Sequence, residues 1–255
     1  MSKLPKEYKF IDLSDYGRPA ARIIAKAFKD TSVNPVQITI AFIISGILAV
    51  AFMLIEAYYL SAFFLILKSI LDAADGELAR IKNTPTYTGR YFDSIADIIL
   101  NFMFLLTIAY ITDTSLIYAF LAFLGIQLQG TLYNYYYVIL RNKFDGDTTS
   151  RIFESTVPTA MNGENQNTVN KLYKIYTLLY ANFDRIISLL DPKAIHSKPF
   201  PNWFMTAVSI YGLGFQLLIM SLMLILRLEN LIIPFFIGYS IFIFLLVGIR
   251  RLISK

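Results

Sequence analysis

The sequence predicts an all-α integral membrane protein, a six-transmembrane-helix bundle with an amphipathic helix before it. Hydrophobic residues make up 56% of the chain and charged residues 16%, against ~25% charged residues in soluble domains. The mean hydropathy is +0.55. Several apolar runs approach the ~20 residues that a helix needs to span a bilayer. These values exclude an ordinary soluble domain, and the lack of cysteine excludes disulfides and thiolate metal sites.

The N-terminal segment, residues 1–34, is basic and cytoplasmic in this prediction. It carries seven Lys or Arg and no apolar core typical of a cleaved signal peptide. Within it, residues 14–29 place four basic residues among apolar ones at helical spacing. This pattern predicts an interfacial amphipathic helix on the cytoplasmic membrane surface. Asn34 and Pro35 then predict the start of a helix, with Asn34 as its cap.

Residues 35–255 are expected to form the membrane domain. Its six predicted spans, with boundaries good to about 3 residues, are 35–57, 59–80, 90–111, 115–139, 204–226 and 231–249. Between the fourth and fifth spans lies a cytoplasmic insertion at about 140–203, in which residues 172–190 have helical apolar spacing. The insertion would serve as a lid over a site or as a solvated surface element, and the pattern leaves both open.

The distribution of Lys and Arg predicts the orientation of the bundle. With the N-terminus inside, 21 of the 23 Lys and Arg lie on the cytoplasmic side, Arg227 lies outside and Lys68 lies within a span. Both termini and the connection at residues 81–89 are therefore expected in the cytoplasm. The net charge of +5 follows from this arrangement and does not indicate a nucleic-acid partner.

One segment departs from the apolar pattern and reads Asp72-x2-Asp75-Gly76-x2-Ala79-Arg80-x8-Gly89-x3-Asp93-x3-Asp97. A charged side chain at membrane depth costs at least ~2.5–3.5 kcal/mol on insertion scales, so these four carboxylates indicate a functional site. Steps of three and four residues predict two acidic stripes that face each other on the second and third spans. Carboxylates so close together need divalent cations, and all-oxygen ligation suits Mg2+, Mn2+ or Ca2+.

This spacing resembles the CDP-alcohol phosphotransferase (CDP-alcohol phosphatidyltransferase) family, membrane enzymes that transfer a phosphoalcohol from a CDP-linked donor to a hydroxyl acceptor. The resemblance implies a transferase of phospholipid biosynthesis, with membrane lipids as partners and a homodimeric assembly. It also implies two divalent cations, Mg2+ or Mn2+. The metal ligands that it implies are Asp72, Asp75, Asp93 and Asp97, the last also serving as catalytic base. The contacts to the CDP moiety that it implies are Gly76, Ala79, Arg80 and Gly89.

The substrates remain open at this point. CDP-diacylglycerol with a small polar alcohol is expected first, because bacterial and archaeal family members of this size mostly use that pair. CDP-choline or CDP-ethanolamine with diacylglycerol uses the same motif and is the alternative. A cation or metabolite transporter also places acids among six helices. A cation path, however, does not require the small residues and the arginine that the resemblance assigns to nucleotide binding.

Several residues in and around the motif allow two interpretations. Lys68 lies one turn before Asp72 and either neutralises the acids or holds a phosphate. Thr39 on the first span is expected to reach the nucleotide. The small motif residues would alternatively serve close helix packing, and Arg80 would anchor the membrane interface. A polar stripe on the fourth span would line an acceptor pocket or form interhelical hydrogen bonds: Gln127, Thr131, Asn134 and Arg141.

Overall fold

The fold is helical throughout the part of the chain that the computed structural model describes, residues 4, 8–144 and 156–253. No strand occurs in these ranges, so the predicted all-α class is confirmed for them. The α-helices are α1 (Arg18–Phe28), α2 (Pro35–Leu54), α3 (Tyr58–Lys82), α4 (Tyr87–Ile111), α5 (Leu116–Lys143), α6 (Gln166–Leu190), α7 (Asn202–Val208), α8 (Leu213–Ile225), α9 (Glu229–Tyr239) and α10 (Phe242–Ile253). Short 3-10 turns form at Leu13–Asp15 and Ser209–Tyr211.

Local chemistry explains where the helices of the motif begin and end. Asn34 caps α2, because its side chain accepts the Gln37 N–H at 3.0 Å while the Gln37 side chain accepts the Asn34 N–H at 2.9 Å. The predicted Asn34 cap is thereby confirmed. α3 ends at Asn83, whose φ of 55° is a left-handed conformation that asparagine tolerates. Thr86 then caps α4 three residues later.

Within the residues that the structure describes, four helical segments are long and apolar enough to cross a membrane, as expected of an integral membrane protein. They are α2, α4, α5 and the joined α9–α10 segment. A fifth results if residues 202–225, bent by 53° between α7 and α8, form one span. The predicted second span is the helix α3, which is equally long but carries six charged residues and falls outside this apolar set. The count of six spans stays a prediction.

The first helix, α1, lies within the predicted range 14–29. It buries Ala21 and Ala25 against Ala74 and Leu78 of α3, whereas Ile23 is 71% exposed. α1 is therefore packed onto the motif helix through its small residues. Its placement on the membrane surface stays a prediction.

α3 has a central place in the bundle, since it packs against α1, α2 and α8. α4 packs in turn against α2, α5, α6 and α9. The apolar core between these helices is built from large buried side chains, including Phe42, Leu65, Phe104 and Phe236. Both helices that carry the acidic motif are thus fixed on several sides, which is the rigidity that a precisely spaced site requires.

The predicted insertion contains α6, which begins earlier than the apolar pattern at 172–190 suggested. α6 packs against α4: the rings of Tyr91 and Tyr176 lie 5.0 Å apart, and the Tyr180 hydroxyl donates to the Ser94 carbonyl at 2.8 Å. Residues 145–155 of the insertion lie outside the described residues. This packing favours a cover over the motif helices, since a purely solvated surface element would not bury Tyr176.

Candidate active site

Three carboxylates of the motif converge where α3 and α4 approach each other. One oxygen atom from each of Asp72, Asp75 and Asp93 lies within 4.8 Å of the other two. α3 contributes the first two at adjacent turns, and α4 contributes the third after the short connection at residues 83–86. The helical spacing predicted this convergence. A set of only oxygen atoms suits a hard divalent cation such as Mg2+ or Mn2+.

The Asp93 side chain provides a separate test of whether a metal fits. Its Oδ1 atom is buried and has no hydrogen-bond partner in the described part of the chain. Leaving a buried charged acceptor unsatisfied costs more than the ~1–3 kcal/mol of a neutral group. A divalent cation held by the three carboxylates would satisfy this oxygen. The residues therefore fit the metal that the motif implies.

Asp75 is positioned by a neighbouring helix. The Thr39 hydroxyl, on α2, lies 2.7 Å from Asp75 Oδ2 and 3.3 Å from the Pro35 carbonyl oxygen. Both Thr39 and Asp75 are buried. Thr39 thus contacts a carboxylate of the acidic cluster rather than open space for a nucleotide. A hydrogen bond of this kind orients a metal-binding carboxylate.

Asp97 is paired differently from the other acids and is not part of the three-carboxylate group. Its Oδ1 atom accepts a hydrogen bond from the ammonium of Lys68, which also donates to Asp72 Oδ2 at 3.1 Å. Lys68 is completely buried, and its Nζ atom lies 4.6 Å from the centre of the Phe42 ring. Of the two interpretations of Lys68, these contacts support pairing with the acids.

Gly76 and Arg80 lie together on the face of α3 that carries the motif. A Cβ atom at Gly76 would come within 3.5 Å of both terminal nitrogens of Arg80. The guanidinium therefore lies directly beside the glycine, and this planar group is suited to holding phosphate oxygens. Arg80 also lies 3.6 Å from Glu77 Oε1.

Ala79 and Gly89 take part in the connection between α3 and α4. The Ala79 carbonyl accepts the Thr84 N–H at 2.9 Å and so helps to end α3. The Gly89 N–H donates to the Thr86 hydroxyl at 3.0 Å, and a Cβ atom at Gly89 would lie only 2.8 Å from that oxygen. Gly89 therefore has a local structural reason to be glycine, whether or not a nucleotide contacts it.

Sequence reasoning missed Glu77, which joins α1 to the motif helix. Its Oε1 atom accepts from Arg18 at 2.6 Å and lies 3.6 Å from the Arg22 Nε atom. Glu77 lies on the opposite side of α3 from the acidic stripe, so no motif position marked it. The one available signal was the basic residues of the predicted N-terminal helix, which needed an anionic partner.

Tyr180 of α6 was also missed, and it lies close to the acidic site. Burial and the negative charge of Asp97 raise the pKa of Tyr180 well above its usual value. Its hydroxyl therefore remains a donor to the Ser94 carbonyl, one residue after Asp93. This contact brings α6 over the acidic end of α4.

The predicted polar stripe of α5 does not form one continuous lining. Gln127 and Thr131 are buried, whereas Asn134 is exposed. The buried amide nitrogen of Gln127 has no hydrogen-bond partner in the described part of the chain. Neither the acceptor pocket nor the interhelical network follows from these positions alone.

Comparison with known proteins agrees with the geometry. A search of curated proteins found no significant match. The family model described as CDP-alcohol phosphatidyltransferase matches residues 32–181, more than half of the chain. The match contains the whole acidic motif together with α2, α3, α4, α5 and most of α6. The chain therefore belongs to the CDP-alcohol phosphatidyltransferase family, whose members are transferases of substituted phosphate groups.

Proposed function

We propose that this protein transfers a phosphatidyl group from CDP-diacylglycerol to a small polar alcohol in phospholipid biosynthesis. The acceptor hydroxyl oxygen forms a bond to the phosphorus that carries the diacylglycerol, the bond from that phosphorus to CMP breaks, and CMP leaves. The single observation that supports this most strongly is the group of Asp72, Asp75 and Asp93 oxygens within 4.8 Å, in a chain whose family transfers substituted phosphates.

Divalent-metal dependence belongs to this proposal. Asp72, Asp75 and Asp93 would hold one Mg2+ or Mn2+ ion, which supplies positive charge to the phosphates of the donor when bound. The second ion predicted from the sequence would also use Asp97. It stays a prediction, because Asp97 already accepts a hydrogen bond from Lys68.

The remaining motif residues have roles in binding and proton transfer. Asp97 would take the proton of the acceptor hydroxyl as general base. Arg80 would hold phosphate oxygens of the donor with its guanidinium. The CDP moiety would lie against α3 and α4 at Gly76, Ala79 and Gly89, and the Arg80 guanidinium lies beside Gly76.

The proposed arrangement in the membrane follows the charge distribution. Residues 1–34 would form the cytoplasmic N-terminal segment and residues 35–255 the catalytic domain of six spans. The active site, both termini and the insertion at about 140–203 would lie on the cytoplasmic side. The assembly would be a homodimer, as the family resemblance implies.

The test is release of CMP by the purified protein with Mg2+ or Mn2+. One arm offers CDP-diacylglycerol with a panel of polar alcohols, including glycerol phosphate, inositol phosphate and serine. The other arm offers CDP-choline or CDP-ethanolamine with diacylglycerol. Turnover in the first arm alone is expected. Turnover only in the second arm would show that the donor is a CDP-linked head group instead of CDP-diacylglycerol. The type of reaction would stay the same.

A transporter is the remaining alternative of a different class, because buried acids among membrane helices also describe a cation path. The Arg80 guanidinium beside Gly76 and the family membership favour the transferase. Absence of CDP binding, together with cation flux in reconstituted vesicles, would favour transport instead.

A further inference from the structure

The helix α6 has two faces of different character. On its buried face Tyr176 packs on Tyr91 of α4, and the Tyr180 hydroxyl donates to the Ser94 carbonyl at 2.8 Å. Its outer face carries four large aliphatic side chains that are 43–77% exposed: Ile175, Leu178, Ile186 and Leu189. Large exposed apolar patches mark sites of interaction with a protein or a membrane. The outer face of α6 is therefore a candidate docking surface.

The four exposed side chains form a single stripe along the helix, here called the α6 stripe. At ~100° per residue, positions 175, 178, 186 and 189 fall within about 80° of one another. Asn182 also lies in this sector and is exposed, but it carries no charge. The stripe extends over almost four turns, so it presents a long apolar surface rather than an isolated side chain.

Basic residues accompany the α6 stripe. Lys171 lies one turn before it, and Lys174 and Arg185 lie along one edge. All three are exposed, and none of their side chains has an acidic partner in the described part of the chain. Throughout α6, all of which the structure describes, no acidic side chain is exposed, and Asp184 is half-buried on another face. An apolar stripe with uncompensated cations beside it is typical of a helix that lies on an anionic bilayer.

The position of α6 along α4 fits the surface of a bilayer. α4 is long and apolar enough to cross a membrane, and α6 packs on its first turns, from Tyr91 to Ser94. Ser94 lies seven residues after Tyr87, the first residue of α4, which corresponds to ~10 Å along the helix axis. Interfacial helices bury their apolar face to a depth of ~5–10 Å. The α6 stripe is therefore near the depth at which such helices contact lipid.

Both ends of α6 are attached to the bundle. Before the helix, the Glu164 carboxylate accepts the Thr88 N–H at 2.6 Å. After it, the Asp191 carboxylate accepts from Arg250 and from the Tyr136 hydroxyl. These attachments keep the helix from rotating its stripe towards the bundle, so the stripe stays on the outside.

We propose that α6 docks on an anionic lipid surface through the α6 stripe while its other face packs on α4 beside the acidic motif. The aliphatic side chains enter the acyl region, and the three cations meet the lipid phosphates. One helix thus contacts both the bilayer and the helix that carries Asp93 and Asp97. This inference goes beyond the proposed reaction, because it concerns a lipid surface and not a substrate.

The experiment measures whether the stripe is in lipid. The chain contains no cysteine, so one introduced cysteine can carry a nitroxide spin label without background. Leu178→Cys and Leu189→Cys place the label on the stripe, and Asn162→Cys places it in an exposed turn before α6. The full-length protein is held in nanodiscs of phosphatidylcholine with or without phosphatidylglycerol. Collisions of the label with O2, which concentrates in lipid, are compared with collisions with a water-soluble nickel chelate.

Both stripe labels are expected to collide more with O2 than with the nickel chelate, and the label at position 162 is expected to show the reverse. Phosphatidylglycerol should increase the preference of the Leu178→Cys label for O2. The added substitutions Lys171→Gln, Lys174→Gln and Arg185→Gln should abolish that increase, because they remove the charges that attract lipid phosphates. If the multiple variant does not fold, the two lipid compositions compared in the parent protein still decide.

Preferential collision of both stripe labels with the nickel chelate would overturn the inference and assign the stripe to water. Dipolar broadening between labels, with little access for either reagent, would overturn it in favour of a second copy of this chain. Lipid access that is equal with and without phosphatidylglycerol would overturn the anionic surface. Label access does not require turnover, so failure of this inference and failure of the CMP-release assay are separate results.

Discussion

The Thr39 hydroxyl donates a hydrogen bond to Asp75 Oδ2 over 2.7 Å and so links α2 to the acidic cluster on α3. Thr39→Val keeps the shape of the side chain and removes this donor. We expect CMP release to fall by about 10–100-fold, the usual cost of losing a partner that orients a metal-binding carboxylate. Thr39→Ser restores the hydroxyl and should recover most of the rate. A valine variant with wild-type rate and metal affinity would show that Thr39 does not orient Asp75.

Asp93 supplies the unpaired buried oxygen of the site, and Asp93→Asn removes its negative charge. We expect divalent-dependent CMP release to fall by at least about 100-fold. Loss of a direct metal ligand should reduce the rate more than loss of a residue that only orients a ligand. Asp72→Asn should have the same effect. Asp113→Asn is the control, because Asp113 is exposed in a helix connection and has a φ of 50° that asparagine accepts. Retained activity in both site variants would refute the metal assignment.

Gly214, at the start of α8, lies against the N-terminal turn. A Cβ atom there would lie 1.9 Å from the Ser14 carbonyl oxygen, which is backbone and cannot simply rotate away. Gly214→Ala is therefore expected to reduce the free energy of unfolding by roughly 1–3 kcal/mol, the typical cost of overpacking, and so to lower the thermal midpoint of unfolding in detergent. Gly238→Ala is the matched control, since no heavy atom lies within 4 Å of its Cβ position. That alanine should be neutral or slightly stabilising in α9.

A buried ion pair joins the end of α6 to α10. Asp191 accepts from two nitrogens of Arg250 and from the Tyr136 hydroxyl at 2.8 Å. Arg250→Met removes the buried cation of Asp191 and leaves the exposed Arg251 guanidinium 3.9 Å from the carboxylate, and the expected cost is about 3–5 kcal/mol in unfolding free energy. The double variant with Asp191→Asn should recover much of that loss. Equal stability of the single and double variants would show that the ion pair is not coupled in this way.

Glu164 fastens the chain before α6 to the start of α4, and this link should depend on pH. Partial burial acts to raise the pKa of Glu164, but hydrogen bonds from the Thr88 and Met161 N–H groups outweigh it and lower the pKa. A lowered pKa in the folded state means that the link stabilises above the ordinary glutamate pKa and is lost as pH falls through the folded value. Hydrogen exchange of the Thr88 amide, corrected for intrinsic rate, should therefore increase only at pH values below the ordinary glutamate pKa.

Glu164→Gln tests the same link at neutral pH. The variant should expose the Thr88 amide at pH 7 as acid does in wild type, because a neutral amide oxygen accepts more weakly than a carboxylate. Glu229→Gln, at the first residue of α9, should leave the Thr88 amide protected. Exchange that is unaffected by both acid and Glu164→Gln would contradict the role of the carboxylate.

The parts of the site that depend on local spacing could be predicted from the sequence. Asp72 and Asp75 share a helical face, and Asp93 follows on the next helix after a short turn, so their convergence needs little beyond helix geometry. The Asn34 cap is equally local. The pairing of Lys68 with Asp97 depends on how α3 and α4 are rotated about their axes, which packing with other helices determines.

Contacts between distant parts of the chain could not be predicted. The bend between α7 and α8 occurs at Gly212, where a Cβ atom would lie 2.3 Å from the Ser14 side chain, and the Ser209 hydroxyl accepts the Leu13 N–H at 2.9 Å. The apolar run at 204–226 therefore appeared as one straight span, because its partner lies almost 200 residues earlier. Docking of α6 on α4 through Tyr180 likewise has no local signal.

The order of the site residues along the chain has a consequence for biogenesis. Thr39, Lys68 and the four motif aspartates all lie on α2, α3 and α4, three helices that leave the ribosome in succession. Lys68 and Asp72 pair within one helix, and such a pair reduces the cost of burying either charge alone. Lys68 and Asp72 are therefore already made when α4, the third of these helices, brings Asp93 and Asp97 to the site. The polar centre of the enzyme can assemble during synthesis, before the C-terminal half of the chain has been made.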